Sequence, residues 1–402
     1  MKVACVGAGP AGLYFAILMK LSNAKNDITV FERNPAGTTH GWGVVFWDDL
    51  LNNLSRNDPQ SAREIIEHSF RWPGQVVDMK GKQRVHQDSS GYAICRRELL
   101  AILTNRAIEL GVEIQFKHEI AQVEQLPHAD LIVAADGVGS QLRRLHADQF
   151  KTHISVGRNK YAWLGTTQVF SEFTFGFVPT KAGWIWFHAY AFKKDMSTFI
   201  VECAPETWTG LGFNKLNAVD SLRLLEDLFK QHLDGHQLIT HASESKSLPW
   251  LNFRNLDNET WCTDNLVLIG DAAHTTHFTI GSGTRLAIED AIALVNALGN
   301  QDEVKAAVKV YESERQRALM LPRRQARLSA RWFESLTRYT DLDTPEFLML
   351  MMNRRSPLIP YMPPRVYCQL HTALLRDSVF RKLYRGVAAV VGSLRRQQPS
   401  LR

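Results

Sequence analysis

Residues 2–12 read Lys2-Val3-Ala4-Cys5-Val6-Gly7-Ala8-Gly9-Pro10-Ala11-Gly12, a short apolar strand that runs straight into a glycine-rich turn. The spacing of Gly7, Gly9 and Gly12 is GxGxxG. Gly7 permits the tight turn, Gly9 lets the backbone approach a pyrophosphate, and Gly12 lets the next helix lie close on the strand. That helix is predicted from Ala11 to about Leu21, and its N-terminus offers free N–H groups and a partial positive charge to phosphates. Residues 28–31, Ile-Thr-Val-Phe, read as the next strand. Together they make a βαβ unit, roughly the 30 residues that a parallel pair requires. Glu32 stands 20 residues past Gly12, where a carboxylate grips ribose hydroxyls, with Arg33 beside it. The pattern serves NAD and FAD alike and leaves the dinucleotide open. The competing reading is a tight turn with a structural surface glutamate.

Working outward, 97–110 is predicted as a helix, and 112–116 and 131–135 as short buried strands. From about 160 to 203 the chain turns rich in Trp, Phe, Thr and Val and alternates like antiparallel strands. A helix near 218–232, a buried strand at 265–270, a helix at 284–298 and a helical stretch from 303 to about 338, kinked at Pro322, follow. Four prolines within 356–364 mark an irregular connector. The fold class is α/β: a Rossmann-like FAD or NAD domain with an inserted, mainly antiparallel β-sheet substrate domain and C-terminal helices. The expected units are 1–155 with 262–300, then 156–261, then 301–402.

The 402 residues are 45% hydrophobic, enough for a sizeable core and two to three domains. Five widely spaced cysteines form no CxxC pair, so no disulfide framework or metal site is expected and a reducing cytoplasm fits. No apolar run has the length of a signal peptide or membrane span. The net charge of +6 resides in 376–402, which holds seven basic residues and one acid. The rest is neutral and gives no nucleic-acid footprint. Apolar residues from Val379 to Leu394 recur at near-helical spacing among those basic residues, which suits a helix packed on the body, or an anionic membrane or acidic carrier.

Two further motifs carry chemistry. Asp136-Gly137-Val138-Gly139-Ser140-Gln141-Leu142-Arg143 is DGxxSxxR after a strand. Gly270-Asp271-Ala272-Ala273-His274 precedes Gly281-Ser282-Gly283-Thr284 and a helix. A glycine-rich turn feeding a helix aims backbone donors at an anion, such as the negative charge of a reduced flavin. In this order and spacing the three blocks resemble the flavoprotein aromatic hydroxylases of the p-hydroxybenzoate hydroxylase fold. The resemblance implies FAD as cofactor and NAD(P)H as co-substrate. It implies Asp271 on the ribitol, Asp136 touching FAD and aiding NAD(P)H use, and Arg96 at its RxxL helix start near FAD. It implies oxygen transfer to an aromatic ring through a C4a-hydroperoxyflavin, with no metal.

Gly41-Trp42-Gly43-Val44-Val45-Phe46, Gly157-Arg158-Asn159-Lys160-Tyr161, Trp163-Leu164-Gly165-Thr166, His188-Ala189-Tyr190 and Ser197-Thr198-Phe199-Ile200-Val201-Glu202 narrow this. They look like the branch of salicylyl-CoA 5-hydroxylase, the N-terminal half of 2-aminobenzoyl-CoA monooxygenase and the violacein-pathway indole hydroxylase. Phe278, where most aromatic hydroxylases carry Pro, is similar to that branch.

In Trp184–Phe192 the period is two, so Trp184, Trp186, His188, Tyr190 and Phe192 share one face. The resemblance implies that this sheet roofs the flavin; the alternative is a face packed as core. His188 and Tyr190 are the candidate catalytic pair, positioned to bond a ring hydroxyl or amine and take its proton, although His188 as a plain structural histidine fits equally. Trp186, His277 and Phe278 complete the candidate substrate set, and His274 reads as structural. The substrate is an aromatic ring, as a thioester on CoA or a carrier protein or as a free indole-type compound, and the protein a monomer or homodimer. Alternatives are a same-fold flavoprotein performing N-hydroxylation, epoxidation or reduction, or a membrane- or carrier-docking component.

Overall fold

The computed structural model describes residues 1–39, 41–79, 81–240 and 247–376. The basic tail from 377 to 402, and with it the membrane or carrier reading, lies outside the described residues.

Two sheets organise the chain. The first has six strands in the order β14-β15-β7-β1-β2-β6: β1 is Lys2–Val6, β2 Asp27–Glu32, β6 Glu113–Phe116, β7 Leu131–Ala134, β14 Cys262–Thr263 and β15 Leu266–Leu268. All neighbours are parallel except β14 against β15. Val3 to Val6 and Leu131 to Ala134 are buried throughout, as central parallel strands covered on both faces must be. The helix Pro10–Ser22 is buried from Ala11 to Met19. It packs against the sheet and the helix Gly283–Gly299, which explains an apolar character on all sides.

The second sheet runs β12-β8-β11-β10-β9-β4-β5-β3, with β13 also paired to β8. Its strands are β3 Gly43–Phe46, β4 Phe70–Met79, β5 Val85–Cys95, β8 Thr152–Thr166, β9 Phe173–Thr180, β10 Gly183–Ala191, β11 Ser197–Cys203, β12 Leu238–Ile239 and β13 Leu251–Asn258. Only β4 against β9 is parallel among its pairs. The alternating pattern predicts the meander of β8 to β11 but not β3, β4 and β5, and the unit 156–261 holds only part of this sheet. The alternating signal is broken in β4 by Pro73-Gly74, where a register shift lies. It is masked in β5 by polar residues on the exposed face.

One face of β10 contributes Ile185, Phe187 and Ala189 to a core under the helix Ala218–Leu233. The other contributes Trp186 and Tyr190, with Phe192 just past the strand, to a core closed by the helices Val304–Glu334 and Thr344–Met352. The stretch expected as a kinked helix from 303 to 338 is one helix of 31 residues carrying Pro322 in its interior. Among the described residues no helix is long and apolar enough to cross a membrane, and no cluster of three or more His, Cys, Asp or Glu suits a metal.

Candidate active site

The glycine turn separates two kinds of glycine. A Cβ at Gly7, where φ is +107°, would stand 2.4 Å from the Ala135 carbonyl oxygen, and one at Gly12 would stand 2.1 Å from the Gly7 oxygen. Both sites are closed to any side chain. A Cβ at Gly9 would meet its nearest neighbour only at 4.0 Å, so Gly9 faces an open cleft at the helix N-terminus. Glu32 lies against the turn: its Oε2 accepts from the Ala8 N–H at 3.0 Å, and its Oε1 accepts from the Asn34 N–H at 2.9 Å and the Asn34 amide at 2.7 Å. Arg33 is exposed beside it.

The second motif is built as a brace. Asp136 Oδ2 accepts from the Gln141 N–H at 2.8 Å, and Ser140 caps the following short helix by accepting from the Arg143 N–H. Arg143, 2% exposed, donates to the Val138 carbonyl at 2.6 Å and to the Ala272 carbonyl at 3.0 Å. It thereby ties the second motif to the third. Asp136 Oδ1 is buried without a hydrogen-bond partner among the described residues, and burial raises its carboxyl pKa.

The third motif is fixed by a carboxylate on the helix that follows it, Gly283–Gly299. Asp290, fully buried, accepts from the Gly270 N–H at 2.9 Å, from His274 Nε2 at 2.8 Å and from Arg315 Nε at 2.8 Å. Burial alone would raise its pKa, but His274 and Arg315 overrule it and hold it below the usual carboxylate range. His274 is therefore structural. Asp271, one residue past Gly270, is exposed in the cleft. The protein mass around it raises its pKa, opposed by His274 and Arg96. Arg96 donates to Thr39 Oγ1 at 3.0 Å, while its own N–H donates to the Trp42 carbonyl. Burial pushes its guanidinium down and Asp271 opposes this, so Arg96 turns inward whereas Arg97 is exposed.

Gly281 adopts φ +60°, and a Cβ there would stand 2.7 Å from Trp47. The helix Gly283–Gly299 starts beyond Ser282 with no side-chain cap, and a Cβ at Gly283 would meet nothing within 4 Å. Gly283 and Thr284 thus offer backbone donors to open space. The uncapped helix ends, the open glycines and the partnerless Asp136 oxygen fit an extended dinucleotide with an anionic ring end. The site has the donors that FAD needs.

The aromatic wall divides. Tyr190 donates its hydroxyl to the Gly43 carbonyl at 2.9 Å, and the Thr198 hydroxyl accepts from the Gly43 N–H at 2.8 Å. Together they clamp β3 to the sheet. Tyr190 is 3% exposed and burial raises its pKa, so its hydroxyl stays protonated and is committed to the backbone of β3. Trp186 is also core, 1% exposed and stacked on Phe333 at 6.1 Å between ring centres. His188 differs. It is 3% exposed among Phe175, Phe278 and Phe333 at 4.8, 6.0 and 5.1 Å, yet its Nε2 has no partner among the described residues. Burial, assisted by Arg354 and His277, pushes its pKa down to about 3, so the ring is neutral. Phe278 is half-buried and rests 4.9 Å from Tyr161. Tyr161 and Trp163 of β8 share the inner face with His188, because Trp163 pairs with Ile200 and Ile200 with His188.

Glu202 sits on that same face, 1% exposed, and accepts from Asn159 Nδ2 at 2.7 Å and Trp186 Nε1 at 3.2 Å. Burial pushes its pKa up to about 7. Its signal in the sequence was an acid in an otherwise apolar strand at the alternation that faces inward. Arg315 and Arg354 gave no comparable signal, since each acts on residues distant in sequence.

Residues 1–324 match the model of a family described as FAD binding domain. The chain is 36% identical over 368 residues to salicyloyl-CoA 5-hydroxylase of Streptomyces sp, covering 89% of this chain and 70% of that protein. It is 32% identical over 386 residues to protodeoxyviolaceinate monooxygenase of Chromobacterium violaceum, covering 94% and 100%. It is 34% identical over 336 residues to 3-hydroxy-4-methyl-anthranilyl-[aryl-carrier protein] 5-monooxygenase of Streptosporangium sibiricum, covering 84% and 90%. The fold is also that of 2-methyl-3-hydroxypyridine-5-carboxylic acid oxygenase, with a TM-score of 0.70 at 19% identity over 91% of this chain and 95% of that one.

Proposed function

The chain belongs to the FAD binding domain family and is an FAD-dependent aromatic monooxygenase, and from that premise we propose that it hydroxylates an aromatic acyl thioester carried on CoA or a carrier protein. The observation that carries the reading is His188 Nε2, a buried polar atom without a partner in an aromatic box. A neutral imidazole so placed accepts a hydrogen bond from a ring hydroxyl or amine and so orients the ring, while its low basicity leaves the proton on the substrate oxygen or nitrogen. Two of the three relatives are named for substrates held as a CoA or carrier-protein thioester. The third is named for protodeoxyviolaceinate and keeps an indole-type substrate as the second reading.

Bound FAD, with NAD(P)H and O₂, supplies the oxygen-transfer chemistry. In the proposed arrangement Gly7, Gly9, Gly12, Glu32 and Arg33 hold the adenosine and pyrophosphate end. Arg96, Asp136, Gly270 and Asp271 hold the middle, and Gly281, Gly283 and Thr284 meet the ring end. Phe175, Phe278 and Phe333 exclude water around His188. The FAD unit comprises 1–155 with 262–300 apart from β3 to β5, which serve the substrate sheet. A reducing cytoplasm suits Cys5, Cys95, Cys203, Cys262 and Cys368, all free thiols.

The test is a panel of aromatic acids, their CoA thioesters and indoles, scored by stimulation of NAD(P)H oxidation with O₂ uptake matched to hydroxylated product. Thioesters are expected to stimulate, and His188→Ala to lower hydroxylation with bound FAD retained. Stimulation by indoles alone would replace the thioester reading, and unchanged coupled turnover in His188→Ala would remove His188 from the mechanism.

A further inference from the structure

Arg354 is a buried guanidinium, 8% exposed, with no carboxylate facing it among the described residues. Its donors all go to neutral oxygens: Nε to Ser329 Oγ at 2.9 Å, Nη1 to the Met351 carbonyl at 2.8 Å and Nη2 to the Thr279 carbonyl at 2.8 Å. A cation so placed is costly unless its hydrogen bonds are put to use. Burial lowers its pKa to about 9, so it stays charged at neutral pH.

From Arg354 a chain of hydrogen bonds leads to the site. Guanidinium only donates, so Ser329 Oγ accepts from it and passes its own hydrogen to Thr279 Oγ1 at 2.8 Å. The Thr279 N–H donates to His277 Nδ1 at 3.4 Å, so the Thr279 hydroxyl, 3.0 Å from the same nitrogen, also donates there. A nitrogen that accepts carries no proton. His277 is 6% exposed and burial pushes its pKa down to about 3, so the ring is neutral and its single proton is on Nε2. Among the described residues no hydrogen-bond partner meets that Nε2. His277 lies beside Phe278 and Phe253, at 4.5 and 4.6 Å between ring centres, on the loop that also presents Phe278 to His188.

We infer that Arg354, acting through Ser329 and Thr279, sets His277 as a fixed N–H donor at Nε2, and that the substrate meets this donor with a carbonyl oxygen. The second half rests on the proposed function, and it favours a ring bearing an acyl oxygen over one that offers only an N–H group at this point. Arg354, Ser329 and Thr279 are positioning residues, and His277 is the group that touches substrate.

The test uses the FAD-loaded enzyme labelled with ¹⁵N-histidine, in which long-range ¹H–¹⁵N correlations report the tautomer of His277. The Nε2–H form is expected in the native protein, and a mixture of tautomers in Thr279→Val. His277→Phe is expected to raise KM for an aromatic acyl thioester about tenfold, the scale of one lost hydrogen bond, with kcat changed less. His277→Gln, whose amide both accepts and donates, is expected to restore most of it. An Nδ1–H tautomer in the native enzyme, or a KM indifferent to His277→Phe, overturns the inference. If the tautomer is Nε2–H but no acyl compound stimulates NAD(P)H oxidation, the substrate assignment fails and the relay stands.

Discussion

Replacing Asp290 by Asn tests how the third motif is held. The carboxylate is fully buried and joins Gly270, His274 and Arg315 through three contacts of 2.8–2.9 Å. Asn has nearly the same shape but no charge, and it can accept at only one oxygen. Arg315, 5% exposed, keeps Glu289 at 3.4 Å as its remaining acid. Removing one member of a buried ion pair costs about 3–5 kcal/mol. The surviving Glu289 contact places this case near the lower end, about 3 kcal/mol or roughly 150-fold in the unfolding equilibrium. The sign of the pH dependence follows from the depressed pKa of Asp290. Its stabilisation is full above the unfolded carboxyl value, about 3.9, and is lost as pH falls through the lower folded value. Urea unfolding followed by release of FAD fluorescence at pH 7, repeated under acid conditions, measures both. A loss under about 1 kcal/mol at pH 7, or a difference between the two proteins that grows as pH falls, refutes the reasoning.

Gly9→Ala and Gly12→Ala separate binding from folding. Gly12→Ala drives a Cβ into the Gly7 carbonyl at 2.1 Å and is expected to give little folded protein. Gly9→Ala has room in the fold and is expected to leave the melting temperature of the FAD-free protein near native while weakening FAD binding at least tenfold by fluorescence titration. For Glu202→Gln the raised carboxyl pKa sets the direction. The native protein should lose stability relative to the variant as pH rises from 4.5 to about 7, read from thermal melts across that range; parallel curves would contradict an ionising Glu202.

The nucleotide-binding half was legible because its chemistry is local. Gly7, Gly9, Gly12, Asp136, Asp271 and Gly283 lie in short blocks whose spacing is itself the geometry. The strands around them are buried on both faces and read as continuous apolar runs. The substrate half was legible in part. Alternation in β10 placed His188 and Tyr190 on one face, yet no periodicity could say that Tyr190 spends its hydroxyl on the Gly43 carbonyl while His188 Nε2 stays free. That difference depends on β3, whose four residues carry almost no signal. The roles of Arg354 and Asp290 were illegible for a related reason: their partners lie 75 and 20 residues away in sequence, and a charged residue reads first as a solvated one.

The chain passes between the two sheets four times: after β2, after β5, after β7 and after β13. Exchanging the substrate sheet for that of a relative is therefore no single-cassette operation. A working chimera has to import 43–95 and 152–258 from one donor, since β4 and β9 from different parents would meet at an untested parallel seam. A transplant of 152–258 alone would leave β3 to β5 bonded to a stranger, with Gly43 facing whatever replaced Tyr190 and Thr198.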